Sequence, residues 1–399
     1  MTLPKPKKNR SVYLDHAATT YMDPRVLFAM QPYFTKIYGN PSSLYNEGQK
    51  ASNALNESRR LIAKQISALS ENIIFTGSGT ESDNLAIFGI ANAHKQFGKH
   101  IISIAIEHSA ILGPLEDLKK QGWEISYVRM NSEGVVNVED VIKAIRPDTV
   151  LISIMYANNE IGAIQPIAEI GRGLLQYRKE KNTPYPFFHT DACQAAAYLN
   201  LDVEKLHVDL MSINGGKIYG PKGVGMLYAR RGVALKPLIL GGDQERKLRA
   251  GTENMPGIIG LAKALELAQL NKEKETKRLD VLVKYLWEKI KKQIPQVKLN
   301  GPEIGSQRLI NNLNVSFLGT EGEALLLYLD EYGIMCSTGS ACVAQSLEPS
   351  HVLKALGATT EQARSSLRFT FGHCNTKQDV DYLMKYLPLI VAQQRAISR

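Results

Sequence analysis

The sequence is short of cysteine and of long apolar runs, and both shortages narrow what the protein can be. Its 399 residues include four cysteines, Cys193, Cys336, Cys342 and Cys374, whose spacing matches neither a zinc site nor a disulfide framework. No stretch of about eighteen apolar residues occurs, and the basic N-terminus lacks the apolar run of a secretory signal. We therefore expect a cytoplasmic protein without a membrane span, in which one cysteine can serve as a reactive thiol.

Internal repeats, low-complexity tracts and nucleic-acid-binding motifs are also missing. The composition, 44% hydrophobic and 22% charged, is that of a globular protein. The net charge is +9, but the basic residues are spread out apart from Lys5–Arg10 and Lys272–Lys292, so we expect no direct nucleic-acid binding. A chain of this length predicts two domains, or one large domain with a smaller one appended.

The stretch from Phe187 to Gly225 carries the first chemical signal. It places Asp191 at the end of one apolar run and Lys217 after a second apolar run and a glycine pair. A pyridoxal phosphate enzyme needs these two side chains, because the lysine amine binds the cofactor aldehyde as a Schiff base and the acid keeps the pyridine nitrogen protonated. Taken alone, the pattern also fits a helix-capping aspartate and a solvated loop lysine.

A glycine-rich turn earlier in the chain indicates a phosphate site. The apolar run Ile73–Phe75 leads into the turn Gly77–Thr80, and a helix is predicted from Glu81 onward. Backbone N–H groups and the helix dipole then point at one spot, which suits a cofactor phosphate. A plain turn in which Thr80 caps the helix is the alternative.

Two later strand ends deliver side chains that can contact a planar ligand. His108 follows the apolar run Ile101–Ile106, and Asn158 and Asn159 follow the run Leu151–Tyr156. The histidine can stack on a pyridine ring and move protons, while the amides can bind a phenolic oxygen or a carboxylate. A structural histidine and an ordinary Asn-Asn turn are the alternatives.

The order of elements predicts where these strand ends meet. Strands and helices alternate up to about residue 229, which indicates a mostly parallel sheet whose carboxyl edge gathers the strand ends. A long helix over Leu261–Ile294 is expected to carry the connection to a second, smaller α+β domain. Asn311–Phe317 and Ile334–Cys336 are predicted strands of that domain.

The C-terminal part adds a thiol and a cation. Cys342 lies among Gly, Ser and Ala residues, which indicates a mobile loop, whereas Cys336 follows apolar residues and is expected to be buried. Arg368 interrupts an apolar strand, and a planar guanidinium there suits bidentate capture of a substrate carboxylate. A strand-edge salt bridge is the alternative.

Ordered motifs along nearly the whole chain resemble the cysteine desulfurases of the NifS/IscS type, in class V of the aminotransferase superfamily. The motifs include YLDHAATT, FTGSGTESDNLAI, IEHSAIL, MYANNEIG, HTDACQA, KIYGPKGVG, LRAGTEN, STGSAC, SLEPSHVLKALG and SLRFTFG. The resemblance implies an α/β protein of the fold type I pyridoxal phosphate enzymes, with a mostly parallel seven-stranded sheet in a large domain. It implies a large domain over residues 19–263 and a small α+β domain, formed by residues 1–18 and 264–399, that carries the catalytic-cysteine loop.

The resemblance also assigns roles to individual residues. Lys217 becomes the Schiff-base lysine, Asp191 the partner of the pyridinium nitrogen and His108 the stacking and proton-moving histidine. The other implied cofactor contacts are Gly79, Thr80, Asn159, Gln194, Asn214 and Thr252, of which Thr252 reaches the phosphate of the other subunit. Arg368 and Asn159 would bind the substrate, and Asn158 is ranked second to Asn159.

The implied activity is that of a pyridoxal 5'-phosphate-dependent cysteine desulfurase. L-cysteine would give L-alanine and a persulfide on the nucleophile Cys342, for iron–sulfur cluster assembly or tRNA thiolation. The implied partners are a second copy of the chain and a sulfur-acceptor protein, either an iron–sulfur scaffold or a sulfur carrier. A lyase acting on selenocysteine or cysteine sulfinate, and a non-catalytic scaffold of the sulfur pathway, are the alternatives, and Cys342 argues for the desulfurase.

The chain departs from the family pattern just before its lysine. Relatives usually carry Ser-x-His there, with both side chains on the cofactor phosphate, whereas this sequence has Asn214-Gly215-Gly216. We therefore expect weaker cofactor retention than in relatives, without loss of activity. The sequence also stops at Arg399, whereas some relatives carry a longer tail that helps to dock an iron–sulfur scaffold.

Overall fold

The computed structural model describes residues 10–305, 307–339 and 349–397. The strands in this part of the chain are β1 (Val12–Tyr13), β2 (Ile73–Thr76), β3 (His100–Ile104), β4 (Glu124–Val128), β5 (Thr149–Ser153), β6 (Phe187–Asp191), β7 (Leu210–Asn214), β8 (Gly225–Ala229), β9 (Val297–Leu299), β10 (Asn312–Phe317), β11 (Ile334–Met335) and β12 (Ser366–Thr370).

The described helices cover both faces of the main sheet and most of the C-terminal part. They are α1 (Pro24–Met30), α2 (Pro32–Thr35), α3 (Asn46–Gln65), α4 (Gly79–His94), α5 (Ser109–Lys120), α6 (Val138–Lys143), α7 (Ile167–Lys181), α8 (Val203–Leu206), α9 (Met255–Gln293), α10 (Gly322–Glu331), α11 (His351–Ala355), α12 (Thr360–Arg364) and α13 (Lys377–Ile397). Among these helices, none combines the length and the apolar character needed to cross a bilayer.

Seven strands form the central sheet, in the order β2-β8-β7-β6-β5-β3-β4. The neighbours from β7 to β4 pair in parallel, and β8 is antiparallel to both β7 and β2. Because β8 lies between them, β2 and β7 run in the same direction. The carboxyl ends of β2, β3, β5, β6 and β7 therefore share one edge, and the predicted mostly parallel sheet of the large domain is confirmed.

Alternating side chains of these strands fill two separate layers. Ile102 and Ile152 belong to one hydrophobic cluster, whereas their neighbours Ile101 and Leu151 belong to another. Successive side chains of a strand point to opposite faces, so helices must cover both sides of the sheet. The apolar runs are continuous rather than alternating because neither face meets water.

The C-terminal part has its own hydrophobic cluster. The antiparallel sheet β12-β10-β9 and the pair β1-β11 pack with the second half of α9 and with α13. The predicted long helix is present and begins six residues earlier, at Met255, because Asn254 caps it.

The C-terminal part is not separate from the large sheet, since Leu309, Val352 and Leu353 pack into the hydrophobic cluster of that sheet. The division at residues 18/19 and 263/264 stays a prediction.

A strained turn lies just before the start of α9. Glu245, Arg246 and Lys247 have φ angles of 47°, 57° and 65°, in the left-handed region that side chains disfavour by about 1–2 kcal/mol per residue. Buried Glu245 compensates for this cost: its carboxylate accepts hydrogen bonds from Arg59 at 2.6 and 2.8 Å and from the Phe75 N–H at 2.9 Å. This buried ion pair thus anchors the turn to the edge strand β2.

Replacing Glu245 with Gln should destabilise the fold strongly. The change removes a buried charge and leaves the Arg59 guanidinium without its partner, which costs about 3–5 kcal/mol in comparable cases. We expect the free energy of unfolding, followed by circular dichroism in urea, to fall by about this amount. In the matched control Glu47→Gln, which breaks an exposed pair with Lys50, the loss should stay within about 1 kcal/mol. Equal effects of the two variants would contradict the anchoring role of Glu245.

Candidate active site

A cavity of about 290 Å³ opens at the carboxyl edge of the central sheet. This is where parallel strands deliver the residues that follow them, so side chains far apart in sequence meet here. Nine of the residues selected from the sequence line the cavity: Gly79, Thr80, His108, Asn159, Asp191, Gln194, Asn214, Lys217 and Arg368. The predicted convergence of strand ends is therefore present in the structure.

The N-terminus of α4 forms one wall of the cavity. The helix begins at Gly79, two residues earlier than predicted, and its cap is Ser78 rather than Thr80, because the Ser78 hydroxyl accepts the Glu81 N–H at 3.0 Å. The N–H groups of Gly79 and Thr80 have no acceptor within the helix, as at every helix start. A Cβ at Gly79 would lie 2.9 Å from the Cys193 sulfur, so this close packing requires glycine.

Lys217 points into the cavity from the turn after β7. Its Nζ donates to the carbonyl oxygens of Ala17 at 2.8 Å and Ala18 at 2.5 Å. The Gln194 side chain donates to the same Ala17 oxygen at 3.0 Å. The alternative of a solvated loop lysine is therefore wrong, and the N-terminal segment forms part of the wall.

The floor beneath Lys217 is a buried polar cluster. Asp191 accepts the Cys193 N–H at 2.8 Å, and Asp83 of α4 lies in the same layer with its Oδ1 3.7 Å from the His189 Nε2. Burial and the nearby Asp191 raise the pKa of Asp83 well above its usual range. Burial lowers the pKa of His189 to about 4, so this ring is neutral at physiological pH. Asp191 and Asp83 both line the cavity.

The two asparagines after β5 have different positions. Asn158 is fully buried, donates to the Ile106 carbonyl oxygen at 2.9 Å and accepts the N–H groups of Glu160 and Ile161. Asn159 lines the cavity. Asn158 therefore shapes the turn, and Asn159 is the amide available to a ligand.

His108 caps a helix and also lines the cavity, while its role toward a planar ligand stays a prediction. Its Nδ1 accepts the Ala110 N–H at 3.1 Å, which caps α5. The same ring lines the cavity. The cap holds the ring at the end of β3, where it can face a planar ligand.

Arg368, in β12, also lines the cavity and is only 1% exposed. Its Nη1 donates to the carbonyl oxygens of Asn159 at 3.0 Å and Gly339 at 3.1 Å, and its Nη2 donates to Asp15 at 2.6 Å. The salt bridge considered as an alternative is therefore present. Within the described residues, however, the buried Nε–H has no acceptor, so the guanidinium is not fully satisfied by the protein.

The other residues named from the sequence are Thr252, Cys342 and Cys336. Thr252 is exposed and does not line the cavity, and its role toward the other subunit stays a prediction. Cys342 falls in residues 340–348, outside the described part of the chain. Cys336 is buried, as expected, and burial raises the pKa of its thiol.

Among the titratable residues of the site that were missed in the sequence are Asp83, Glu160 and His351. Asp83 lies four residues after Gly79, a helical spacing that places both on one face of α4. Glu160 directly follows the Asn pair, and His351 begins the helix after the cysteine segment. All three line the cavity. Their proximity to selected motifs was the available signal.

A family model matches most of the chain. Residues 12–383 match the family model described as Aminotransferase class-V. The chain belongs to the class-V aminotransferase family. The resemblance stated from the motifs is thereby confirmed at the level of the family.

Curated class-V relatives match this chain over almost its whole length. The protein named cysteine desulfurase IscS from Clostridium botulinum strain Hall is 50% identical over 390 residues, which is 98% of this chain and 96% of that protein. The protein of the same name from Methanosarcina thermophila is 49% identical over 391 residues, covering 98% and 94% of the two chains.

Solved structures agree with the fold. A structure titled NifS-like protein has a TM-score of 0.89 and 36% identity, covering 96% of this chain and all of that one. A structure titled SspA in complex with cysteine has a TM-score of 0.77 and 35% identity, covering 90% and 99%. Together with the seven-stranded sheet, these likenesses confirm the predicted fold class.

Replacing Asp83 with Asn should flatten the dependence of stability on pH. Because the pKa of folded Asp83 is raised above its unfolded value of about 3.9, the folded state retains a proton that the unfolded state releases as pH rises. Stability is thus lost with increasing pH toward the folded pKa. Asn carries no such proton, so the decline between pH 5 and 8.5 should be smaller in the variant.

The measurement is the urea midpoint of cofactor-free protein across that range. Glu107 will leave a residual slope, since burial also raises its pKa well above the usual range. The exposed Asp140→Asn serves as the control and should follow the parent protein. Parallel curves for Asp83→Asn and the parent protein would refute a protonated Asp83.

Proposed function

We propose that this protein is a cysteine desulfurase that uses pyridoxal 5'-phosphate to remove sulfur from L-cysteine. The observation that carries the proposal is one cavity in which Lys217 and Asp191 face Arg368, an arrangement suited to a cofactor at one end and an amino-acid carboxylate at the other. The shared family and the names of relatives about 50% identical support the same activity.

The residues of the cavity fit the cofactor. The free N–H groups of Gly79 and Thr80 at the start of α4 suit a phosphate, and Asn214 lies beside them. Asp191 would face the ring nitrogen, with His108 on the ring and Gln194 and Asn159 near its oxygen. When bound, pyridoxal phosphate supplies an aldehyde for the lysine and a protonated ring that withdraws electrons from the substrate α carbon.

Arg368 is the candidate for holding the substrate carboxylate. A guanidinium has five N–H groups, and three of them are used by Asn159, Gly339 and Asp15. The Nε–H and one Nη2–H remain, and a charge-assisted hydrogen bond from a substrate would satisfy them. Held in this way, the α carbon would lie between Arg368 and Lys217, whose amine can accept and return the α proton.

Cys342 is the candidate nucleophile. It follows Gly339, which lines the cavity, by three residues in the sequence. Its thiolate would attack the substrate sulfur. An S–S bond forms between the Cys342 sulfur and the substrate sulfur, and the bond between that sulfur and the substrate β carbon breaks. The electron pair of the broken bond stays on the β carbon, which then gains a proton. L-cysteine and the thiol thus give L-alanine and a persulfide without an added oxidant or reductant.

A second copy of the chain is the expected partner. Large apolar side chains are strongly exposed on α1, on α2 and in the segment before α3, among them Phe28 at 75%, Tyr38 at 74% and Leu44 at 90%. Several large exposed apolar side chains within one short segment favour a surface that a partner covers. A homodimer would bury them and would allow Thr252 to reach the phosphate in the other subunit.

Delivery of the persulfide sulfur to an acceptor protein completes the proposal. The acceptor would be an iron–sulfur scaffold or a sulfur carrier, which leads to cluster assembly or tRNA thiolation. The cytoplasmic location stays a prediction. The presence of Lys217, Asp191, His108 and Arg368 in one cavity argues against the alternative of a non-catalytic scaffold.

Replacing Cys342 with Ala should abolish alanine formation from L-cysteine while leaving the visible absorbance of the bound cofactor. The thiol accepts the sulfur but does not hold the cofactor. The measurements are alanine release and the persulfide mass on Cys342. The control is Cys374→Ala, at a cysteine that is exposed in the structure, and this variant should retain activity. Undiminished alanine release in Cys342→Ala would overturn the role of this thiol.

Replacing Gly216 with His should improve cofactor retention. A Cβ at Gly216 would meet its nearest neighbours, Asn214 and Lys222, at 3.5 Å, so a side chain fits there without distortion. An imidazole beside the phosphate would add a hydrogen bond, worth roughly tenfold in affinity. The measurement is cofactor remaining after dialysis, with Gly216→Ala as the control. Equal retention in Gly216→His and the parent protein would argue against a weakened phosphate site.

A further inference from the structure

The Arg368 end of the cavity holds more negative than positive charge. Arg368 pairs with Asp15, and the side chain of Glu160 lines the same cavity although the residue is only 2% exposed. Among the described residues, no lysine or arginine forms an ion pair with Glu160. The single formal positive charge of Arg368 is therefore outnumbered by the two carboxylates of Asp15 and Glu160 before a substrate binds.

Glu160 is held firmly in this position. Its N–H donates to Asn158 at 2.8 Å, and its carbonyl oxygen accepts from Asn312 and Asn314 at 3.1 Å each. Its side-chain Oε2 accepts the Ser350 hydroxyl at 2.5 Å. These bonds satisfy the backbone and one carboxylate oxygen, but a neutral hydroxyl does not cancel the charge.

The location of Glu160 matches the sulfur end of the proposed substrate. A Cβ built on Gly339 would lie 2.8 Å from the Glu160 Oε2, so the carboxylate is in contact with the residue from which the chain continues to Cys342. Gly339 also accepts a hydrogen bond from Arg368. Because Arg368 and Glu160 both contact Gly339, an amino acid held by Arg368 on the proposed function lies near Glu160.

We propose that Glu160 is a specificity-determining residue whose charge disfavours amino acids with an anionic side chain. Such substrates carry a second negative group, for example a sulfinate or a carboxylate, into a buried site that already has unbalanced negative charge. Screening by water and salt is weak there, so the repulsion is stronger than at the surface. The thiol of L-cysteine can enter in its neutral form. With the charge of Glu160 in place, the cavity is expected to favour cysteine over cysteine sulfinate.

The test compares two ligands that differ in charge but hardly in size. L-asparagine and L-aspartate are titrated into cofactor-loaded protein, and binding is followed by the change in visible absorbance and by competitive inhibition against L-cysteine. We expect the parent protein to bind asparagine on the order of tenfold more tightly than aspartate, because a like charge nearby is worth at least one such step. In Glu160→Gln the two affinities should become similar, and cysteine sulfinate should inhibit correspondingly better.

Ser350→Ala is the matched control. It removes the hydrogen bond to Glu160 but keeps the charge, so the asparagine-to-aspartate ratio should stay as in the parent protein. If this variant shifts the ratio as much as Glu160→Gln does, the effect comes from anchoring and the proposal is wrong. An unchanged ratio in Glu160→Gln would also overturn it.

The parent protein alone provides a check that does not depend on any variant folding. If the parent protein binds aspartate as tightly as it binds asparagine, the proposal is wrong. A failure of the proposed function looks different, because no alanine would form from L-cysteine while the ratio of the two ligand affinities could still be measured. The two ideas can therefore fail separately.

Discussion

The buried guanidinium of Arg368 is the interaction on which the assembly of the site depends. It bonds to Asp15, to the carbonyl oxygen of Asn159 and to that of Gly339, three segments that are far apart in sequence. A buried charge is costly unless it is paired and hydrogen-bonded, so these segments must come together around it. The segments around Asp15, Asn159 and Gly339 are consequently fixed relative to one another.

The N-terminal segment also connects the two ends of the cavity. Asp15 accepts a hydrogen bond from Arg368, and the carbonyl oxygens of the nearby Ala17 and Ala18 accept hydrogen bonds from the Lys217 amine. Thr20 then bonds through its N–H and its hydroxyl to the Gly216 carbonyl oxygen, next to the lysine. Because one short segment contacts both charged side chains, the spacing between the amine and the guanidinium is set by backbone geometry rather than by flexible side chains.

Charge is distributed unevenly across this cavity. The sheet floor carries Asp191 and Asp83 in the same cavity as Lys217, and burial together with the nearby Asp191 raises the pKa of Asp83 well above its usual range. The opposite end combines Arg368 with Asp15 and Glu160. The arrangement suits an amino acid whose own carboxylate meets the arginine and whose remaining side chain is uncharged. Electrostatic positioning of this kind acts most strongly in a water-poor site.

Local patterns indicated the parallel sheet and most of the residues around the cavity, because strand ends, glycine turns and a lysine after a glycine pair each have a short-range signature. The family and the roles of Gln194 and Asn214 came from the resemblance of longer motifs. Contacts between distant segments decided the rest. The pair formed by Asp15 and Arg368 joins positions 353 residues apart, and nothing near either residue indicates the other. The orientation of Asn159 and the burial of Glu160 likewise follow from how helices and loops pack over the sheet. Pairing and burial belong to the folded chain, since both are defined by neighbours that only folding brings together.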